Sequence, residues 1–235
     1  SGVESVPNAL CPIKNYADLK KAQEDHNLGN DVVVQTAFGD SGKTTFFINS
    51  EEDYRKVADQ IEAEDEVKVM KRIDCVSTAI EGCTTRSGTF VGPLLTELIG
   101  HPGLTPYKGG WCGNELLKGN LPESIRKQAH QKVQAFGDAL YQKGYRGYFE
   151  VDFLIDKNTN EVYLGELNPR ITGISAITQF SNISQKVLPL FLFHLLEYSD
   201  ADFDIDPTEY NQQSLSQGTD KTASQLIFKF TPSDN

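Results

Sequence analysis

Between Gly147 and Arg170 the chain spells two strands and a turn, and this stretch limits the fold more than any other. Gly147-Tyr148-Phe149-Glu150-Val151-Asp152-Phe153 comes first, then Asp156-Lys157-Asn158-Thr159-Asn160, then Glu161-Val162-Tyr163-Leu164-Gly165-Glu166-Leu167-Asn168-Pro169-Arg170. The pattern predicts two antiparallel strands joined by a polar turn. Pairing brings Asp152 close to Glu166, and strand alternation points Glu166 and Asn168 the same way. Three oxygen donors on one face suit Mg²⁺, which takes few carboxylates and completes its shell with substrate phosphates. Arg170 continues that face with a planar fork for an anion. Acids flanking a hairpin are elsewhere simply solvated surface, and that reading stays open at this level. Against it stand Phe149, Val151, Phe153, Val162, Leu164 and Leu167, which mark buried strands where an unpaired carboxylate is costly.

The 235 residues, 38% of them hydrophobic, suffice for one globular unit or two small ones. A net charge of −11 argues against phosphate-backbone binding, which needs a basic stripe, so no nucleic-acid partner is expected. The four cysteines (Cys11, Cys75, Cys83 and Cys112) are scattered without a CxxC pair, which predicts reduced thiols and a cytoplasmic setting. Ser1-Gly2-Val3-Glu4 lacks the features of a signal peptide. The longest apolar run, Val187 to Phe193 with Pro189 inside it, is too short for a bilayer and reads as a core helix. No membrane partner is expected.

Along the chain, Asn15 is placed to cap a short helix through Gln23, and Asp31–Gln35 and Thr44–Ile48 read as strands around the loop Thr36–Lys43. Ser50 predicts a helix with Tyr54, Val57 and Ile61 at helical spacing. Glu66–Ile73 is a further strand, and Ala79–Val91 holds one or two more. Leu104–Gly119, rich in glycine, reads as a long loop. A long amphipathic helix runs from Pro122 to Lys143-Gly144. Gln179–Tyr198 is mostly helix, Ser199–Asp220 an acidic loop, and Gln225–Phe230 a last strand. There are no internal repeats.

Ala37-Phe38-Gly39-Asp40-Ser41-Gly42-Lys43-Thr44 meets a permissive phosphate-loop pattern. A true P-loop opens a helix, whose first amides hold the phosphate. Here Thr45-Phe46-Phe47-Ile48 follows, so the context is strand–loop–strand and a P-loop does not fit. Such a loop is either an ordinary hairpin loop or a flexible cover whose amides and Lys43 meet a triphosphate.

Strand, glycine loop, strand, helix and strand, followed by a helix, the acidic hairpin and Glu-x-Asn-x-Arg, resemble the ATP-grasp superfamily, in its biotin-carboxylase-like branch. The resemblance runs from about Pro7 to Gln179. It is carried most strongly by Gly144-Tyr145-Arg146-Gly147, Glu150-Val151-Asp152-Phe153 and Gly165-Glu166-Leu167-Asn168-Pro169-Arg170. It implies an α+β fold of two lobes with antiparallel sheets gripping ATP between them. Residues 7–72 would be the small lobe with the glycine-rich loop, and 73–235 the large lobe with the metal hairpin. Asp152 and Glu166 would bind one Mg²⁺, and Glu166 with Asn168 a second, with Mn²⁺ as the alternative ion. Arg170 would hold the γ-phosphate or an acyl phosphate, so Arg170 and Asn168 are the implied catalytic residues. Gly39, Ser41, Gly42 and Lys43 would cover the phosphates, backbone groups of Lys71 and Ile73 beside Met70 would read adenine, and Asp74 would reach the ribose.

The chain also departs from that pattern. Gln35 stands where a lysine normally reaches the α- and β-phosphates, and Met70 where the hinge normally has an acid. Ile171-Thr172-Gly173-Ile174-Ser175 lacks the glutamate of a bicarbonate site, which argues against biotin carboxylation. The family's preceding lobe is absent, and a longer chain or a partner would supply it. What the resemblance implies is an ATP- and Mg²⁺-dependent ligase that activates a small carboxylate as an acyl phosphate for attack by an amine. A nucleotide-binding module that has lost catalysis is the alternative. The acid and the amine are not identified. His26, His101, His130 and His194 share no ligand spacing and read as surface or helix residues, and Asp202-Phe203-Asp204-Ile205-Asp206 reads as a solvated acidic loop. Trp111 and Asn114 are candidate substrate contacts in the Gly-rich loop.

Overall fold

Runs of alternating valine set up the first sheet. Val32-Val33-Val34 and Val67-Lys68-Val69 both place every second side chain on one face, where apolar burial is available. In the computed structural model, which describes residues 2–37, 44–117, 119–217 and 222–229, the chain divides into two compact units. The smaller comprises Ser5–Asp74, Ile99–Cys112 and the stretch from Phe228; the larger comprises Cys75–Leu98, Gly113–Ile227 and the N-terminal residues through Glu4. A single run 73–235 is the sequence expectation, whereas Ile99–Cys112 groups with the smaller unit. Lys108 of that segment lies 4.6 Å from the centroid of the Phe47 ring, an attraction of ammonium for an aromatic face.

The smaller unit runs β1 (Asn8–Cys11), α1 (Tyr16–Asp25), β2 (Val32–Thr36), β3 (Thr45–Ile48), α2 (Glu51–Arg55), α3 (Ala58–Glu62) and β4 (Val67–Lys71). Its antiparallel sheet has the order β1-β4-β2-β3. Asn15 caps α1 by accepting from the Asp18 N–H at 3.0 Å, as its side chain predicts. Val32, Val34, Phe46, Ile48, Val67 and Val69 turn one sheet face to Leu19, Ala22, Tyr54 and Ile61 of the helices. The helix expected after Ser50 is two short ones. Val57 leaves helical geometry at φ −130° and ψ 5°, and Ser50 caps only the first.

The remaining elements are β5 (Cys75–Thr85), β6 (Gly88–Val91), β7 (Leu95–Ile99), β8 (Trp111–Leu116), α4 (Glu123–Gln142), β9 (Gly147–Asp156), β10 (Val162–Asn168), α5 (Ser175–Ser184), α6 (Leu190–Tyr198), α7 (Pro207–Leu215) and β11 (Ala223–Leu226), all of the larger unit save Ile99 of β7 and Trp111 and Cys112 of β8. Their sheet has the order β10-β9-β5-β7-β8-β11, with β6 added against β5. Several of these elements differ from expectation, the last strand among them, which is Ala223–Leu226 and not Gln225–Phe230. The glycine-rich stretch contains β8, preceded by β7, and the acidic stretch after Tyr198 contains α7. Asp206 caps α7 by accepting from the Thr208 N–H at 2.8 Å, ahead of Pro207, a start signal that the surrounding acids obscure. The helix expected over 179–198 is interrupted before Pro189, which lacks the N–H a continuous helix would use. Ile125, Ala129 and Val133 of α4 pack on Ile80, Phe149, Val151, Phe153, Ile155 and Val162, filling one face of the sheet. Tyr148 and Cys83 emerge on the other face, against Phe193 and Tyr210 of α6 and α7. No helix among the described residues is long and apolar enough to cross a membrane.

Candidate functional site

Phe149, Val151, Phe153 and Ile155 fill the α4 side of β9, so alternation turns Glu150 and Asp152 to the opposite face. The register then gathers acids from four strands. Glu166 of β10 stands opposite Asp152, and Asp152 opposite Ala79 of β5. In the next row Asn168 is opposite Glu150, and Glu150 opposite Glu81. Leu95 of β7 pairs with Ala79, which puts Glu97, two residues on, on this same face. A bulge between Leu164 and Glu166 shifts the pairing so that Glu166, and not Gly165, meets Asp152.

Burial opposes this gathering of charge. The Asp152 carboxyl is pushed well above the usual carboxylate range, first by loss of solvent and then by Glu97, Glu150 and Glu166; Arg170 pulls it back down. Glu97 and Glu150 are raised for the same leading reason, burial, and by their acidic neighbours. The Oδ1 atom of Asp152 is shut off from solvent with no hydrogen-bond partner. A buried acceptor without a donor is costly, and a cation is the natural relief.

Two of the four residues named for this site are joined directly. Arg170 donates from Nη2 to Asn168 Oδ1 at 3.2 Å and from Nη1 to the Ile171 carbonyl at 3.2 Å. Its own N–H donates to the Asn168 carbonyl at 2.8 Å, which folds the chain back at the end of β10. The loop that follows is tied to the sheet from below. Ser175 donates to the buried Glu81 at 2.5 Å and accepts from the Thr172 N–H at 3.1 Å. Tyr148 also donates to Glu81, and Gln179 donates to Tyr148 at 2.7 Å.

Among the described residues, no three or more His, Cys, Asp or Glu side chains form a group able to hold a metal ion alone. The donor set of Asp152, Glu166 and Asn168 suits instead an ion that completes its shell from water and phosphate, the habit of Mg²⁺. The orphaned oxygen of Asp152 and the excess of carboxylates over the single guanidinium fit such an ion.

The remaining candidates, Asn114 apart, belong to the smaller unit. Gln35 lies between Thr45 and Lys68 on neighbouring strands, and Met70 lies opposite Val33 one row away on the same face. Lys71 closes β4, and its N–H is taken by the Pro7 carbonyl at 2.9 Å. Ile73 and Asp74 lie in the short link to β5. Gly39, Ser41, Gly42 and Lys43 lie outside the described residues. Trp111 and Asn114 lie on β8, not in a loop; the Trp111 ring is 5.8 Å from Lys229 Nζ, and Asn114 is buried. Glu81 and Glu97 are missing from the sequence-based site. A single glutamate within an apolar run carries no spacing signal, and only the strand pairing brings either one to the others.

No family model matches the chain, and no curated protein matches it. Solved structures do. N5-carboxyaminoimidazole synthetase from Staphylococcus aureus, complexed with ADP, aligns at 22% identity with a TM-score of 0.63, covering 86% of this chain and 49% of that one. N5-carboxyaminoimidazole synthase from Aspergillus clavatus, in complex with ADP and 5-aminoimidazole ribonucleotide, aligns at 16% identity with a TM-score of 0.66, covering 91% and 50%. Biotin carboxylase from Campylobacter jejuni, in a beta-gamma-ATP complex, aligns at 16% identity with a TM-score of 0.67, covering 87% and 44%. The chain thus spans about half the length of the solved structures it matches, and the likeness at this identity is one of fold.

Proposed function

The chain has the ATP-grasp fold, with its antiparallel sheets, and on that premise we propose that it serves an ATP- and Mg²⁺-dependent ligase joining a carboxylate to an amine. The observation that carries the reading is the facing pair Asp152 and Glu166, with Asn168 and Arg170 continuing along one strand end and one Asp152 oxygen buried without a donor. That several solved neighbours hold ADP or ATP supports a nucleotide as the partner of these acids.

In this reading Asp152, Glu166 and Asn168 hold the metal, which when bound neutralises phosphate oxygens and makes them approachable by a second anion. A substrate carboxylate oxygen attacks the terminal phosphorus, the bond to the bridging oxygen breaks, and ADP leaves with an acyl phosphate formed. An amine then attacks the acyl carbon, phosphate departs, and the amine gives up a proton as the amide forms. Arg170 faces negative charge in both steps. Its guanidinium is oriented by Asn168 before any ligand arrives, so little reorganisation is needed as charge develops. Glu81, through Ser175, fixes the loop that follows Arg170. The stretch from Thr172 to Ser175 carries no acid for a bicarbonate site, in line with amide formation and not biotin carboxylation.

The test is release of ADP and phosphate from Mg·ATP over a panel of carboxylates and amines, with any upstream sequence of the natural protein included. Glu166→Gln, Asp152→Asn and Arg170→Ala should each cut turnover by a factor on the order of a hundred or more while leaving the fold intact. Wild-type turnover in Glu166→Gln sinks the metal assignment. A nucleotide-binding module without catalysis is the second reading, favoured by Gln35 and Met70. ATP binding without turnover across a wide panel selects it.

A further inference from the structure

The four-stranded sheet of the smaller unit has a second face, and its side chains are set by register. One row across the strands reads Leu10, Lys68, Gln35, Thr45, and the next reads Asn8, Met70, Val33, Phe47. Residues directly opposite in antiparallel pairs point the same way, and the alternate set Val32, Val34, Phe46, Val67 and Val69 fills the core. Lys68, Gln35 and Thr45 therefore stand side by side on the face turned away from that core. Gln35 donates from Nε2 to Thr45 Oγ1 at 3.4 Å. Beside them Lys108 Nζ lies 4.6 Å and Arg72 Cζ 5.3 Å from the Phe47 ring centroid, Arg72 being partly neutralised by Asp31 at 3.3 Å.

None of the eight residues in these two rows is acidic, although the chain carries a net charge of −11. A sheet face that combines lysine, amide and hydroxyl donors and lacks carboxylates is suited to an anion. Gln35 occupies the position where a phosphate-reaching lysine is otherwise expected, and its amide has donors but no charge. The neighbouring strand supplies the charge. Adjacent strands are about 4.8 Å apart, a displacement that the four-carbon stem of lysine spans easily.

We propose that Lys68 is the cation that binds the phosphate tail of the nucleotide in the smaller unit, with the Gln35 amide and the Thr45 hydroxyl as neighbouring donors. The ammonium then stands on β4, one strand from Gln35 on β2. The proposal rests on the nucleotide reading above and names the residue that makes that reading workable without a lysine at position 35.

The experiment is calorimetric titration of the 235-residue chain with Mg·ATP, with inorganic triphosphate and with adenosine, for the unaltered protein, Lys68→Met and the double variant Gln35→Lys/Lys68→Met. Lys68→Met should weaken Mg·ATP and triphosphate by about tenfold or more and leave adenosine unchanged, since a charge-assisted contact is lost. The double variant should recover most of the loss. In the unaltered chain, Mg·ATP should also shield Lys68 from acetic anhydride, read by peptide mass spectrometry, which keeps the test alive if a variant does not fold. Affinity within about twofold of wild type in Lys68→Met, or unshielded Lys68, overturns the assignment. Triphosphate binding that depends on Lys68, without any ATP binding, leaves the lysine contact standing and removes the nucleotide reading. Binding of neither ligand by the unaltered chain removes both.

Discussion

Ser175 donates its hydroxyl hydrogen to the carboxylate of Glu81 at 2.5 Å, and this one bond ties the loop after Arg170 to the middle of the large sheet. Glu81 is fully buried and also accepts from Tyr148, so two elements depend on it. Burial pushes its carboxyl up, while the hydrogen bonds from Ser175 and Tyr148 oppose that rise.

Glu81→Ala should therefore leave the Ser175 and Tyr148 hydroxyls without their acceptor inside the protein. The expected cost is about 2 kcal/mol or more, from unpaired buried donors and the space left behind. Glu81→Gln keeps an acceptor oxygen and should cost about half as much. Urea unfolding followed by circular dichroism measures both. Equal stability of Glu81→Ala and wild type removes the structural role given to this network.

The acidic cluster predicts how stability depends on pH. Asp152, Glu97 and Glu150 all have folded-state values raised above their ordinary ones. Groups raised in this way stabilise the fold below their unfolded range, near pH 4, and lose that contribution as pH rises through the folded values. In the absence of divalent cations Asp152→Asn should therefore raise the melting temperature by a few degrees, about 2–4 °C per kcal/mol, at pH 8, and by much less at pH 5. Identical shifts at the two pH values contradict the clustering.

The same groups link metal to protons. Mg²⁺ requires deprotonated carboxylates, so binding competes with the protonation that burial favours. Added Mg²⁺ should raise the melting temperature more at pH 8 than at pH 5.5, and Asp152→Asn should remove most of that gain. Scanning calorimetry with and without chelator decides it; a gain independent of pH and of Asp152 places the ion elsewhere.

Gly113 tests the edge of the large sheet. It has φ +142°, and a Cβ there would lie 2.1 Å from the Gln225 carbonyl oxygen, across the β8–β11 pairing. Gly113→Ala combines a backbone penalty with a clash against main chain that has no side-chain freedom to relieve it. A loss of about 2 kcal/mol or more is expected, with faster hydrogen exchange in Ala223–Leu226 than in β9. Unchanged protection of β11 counts against the pairing.

How far the site was legible in the sequence follows from how local each signal is. The hairpin of β9 and β10 could be read as two strands and a turn because its turn is short and its strands alternate, but the bulge after Leu164, which sets Glu166 opposite Asp152, is decided by the pairing itself. Asp152, Glu166, Asn168 and Arg170 lie within that one local unit. Glu97 and Glu81 lie on β7 and β5, distant in sequence from the hairpin, and their places depend on which strand pairs with which. The glycines of Leu104–Gly119 suggested a loop, yet Gly113 serves a strand pairing, since glycine permits the close approach of β11 as readily as a turn. In α7 the cap at Asp206 and the following Pro207 were present as a helix start, but in an acidic stretch they were outweighed by composition.

Alternation and capping are properties of adjacent residues, and the chain alone fixed them: the valine-rich strands, the cap at Asn15, and the spacing of Glu166, Asn168 and Arg170. The three-dimensional arrangement decided which strands became neighbours. That choice set Lys68 beside Gln35, drew Glu97 toward Asp152 and placed Glu81 beneath Ser175. Pairing of distant strands is settled by the summed burial of whole faces, and no single residue encodes that sum.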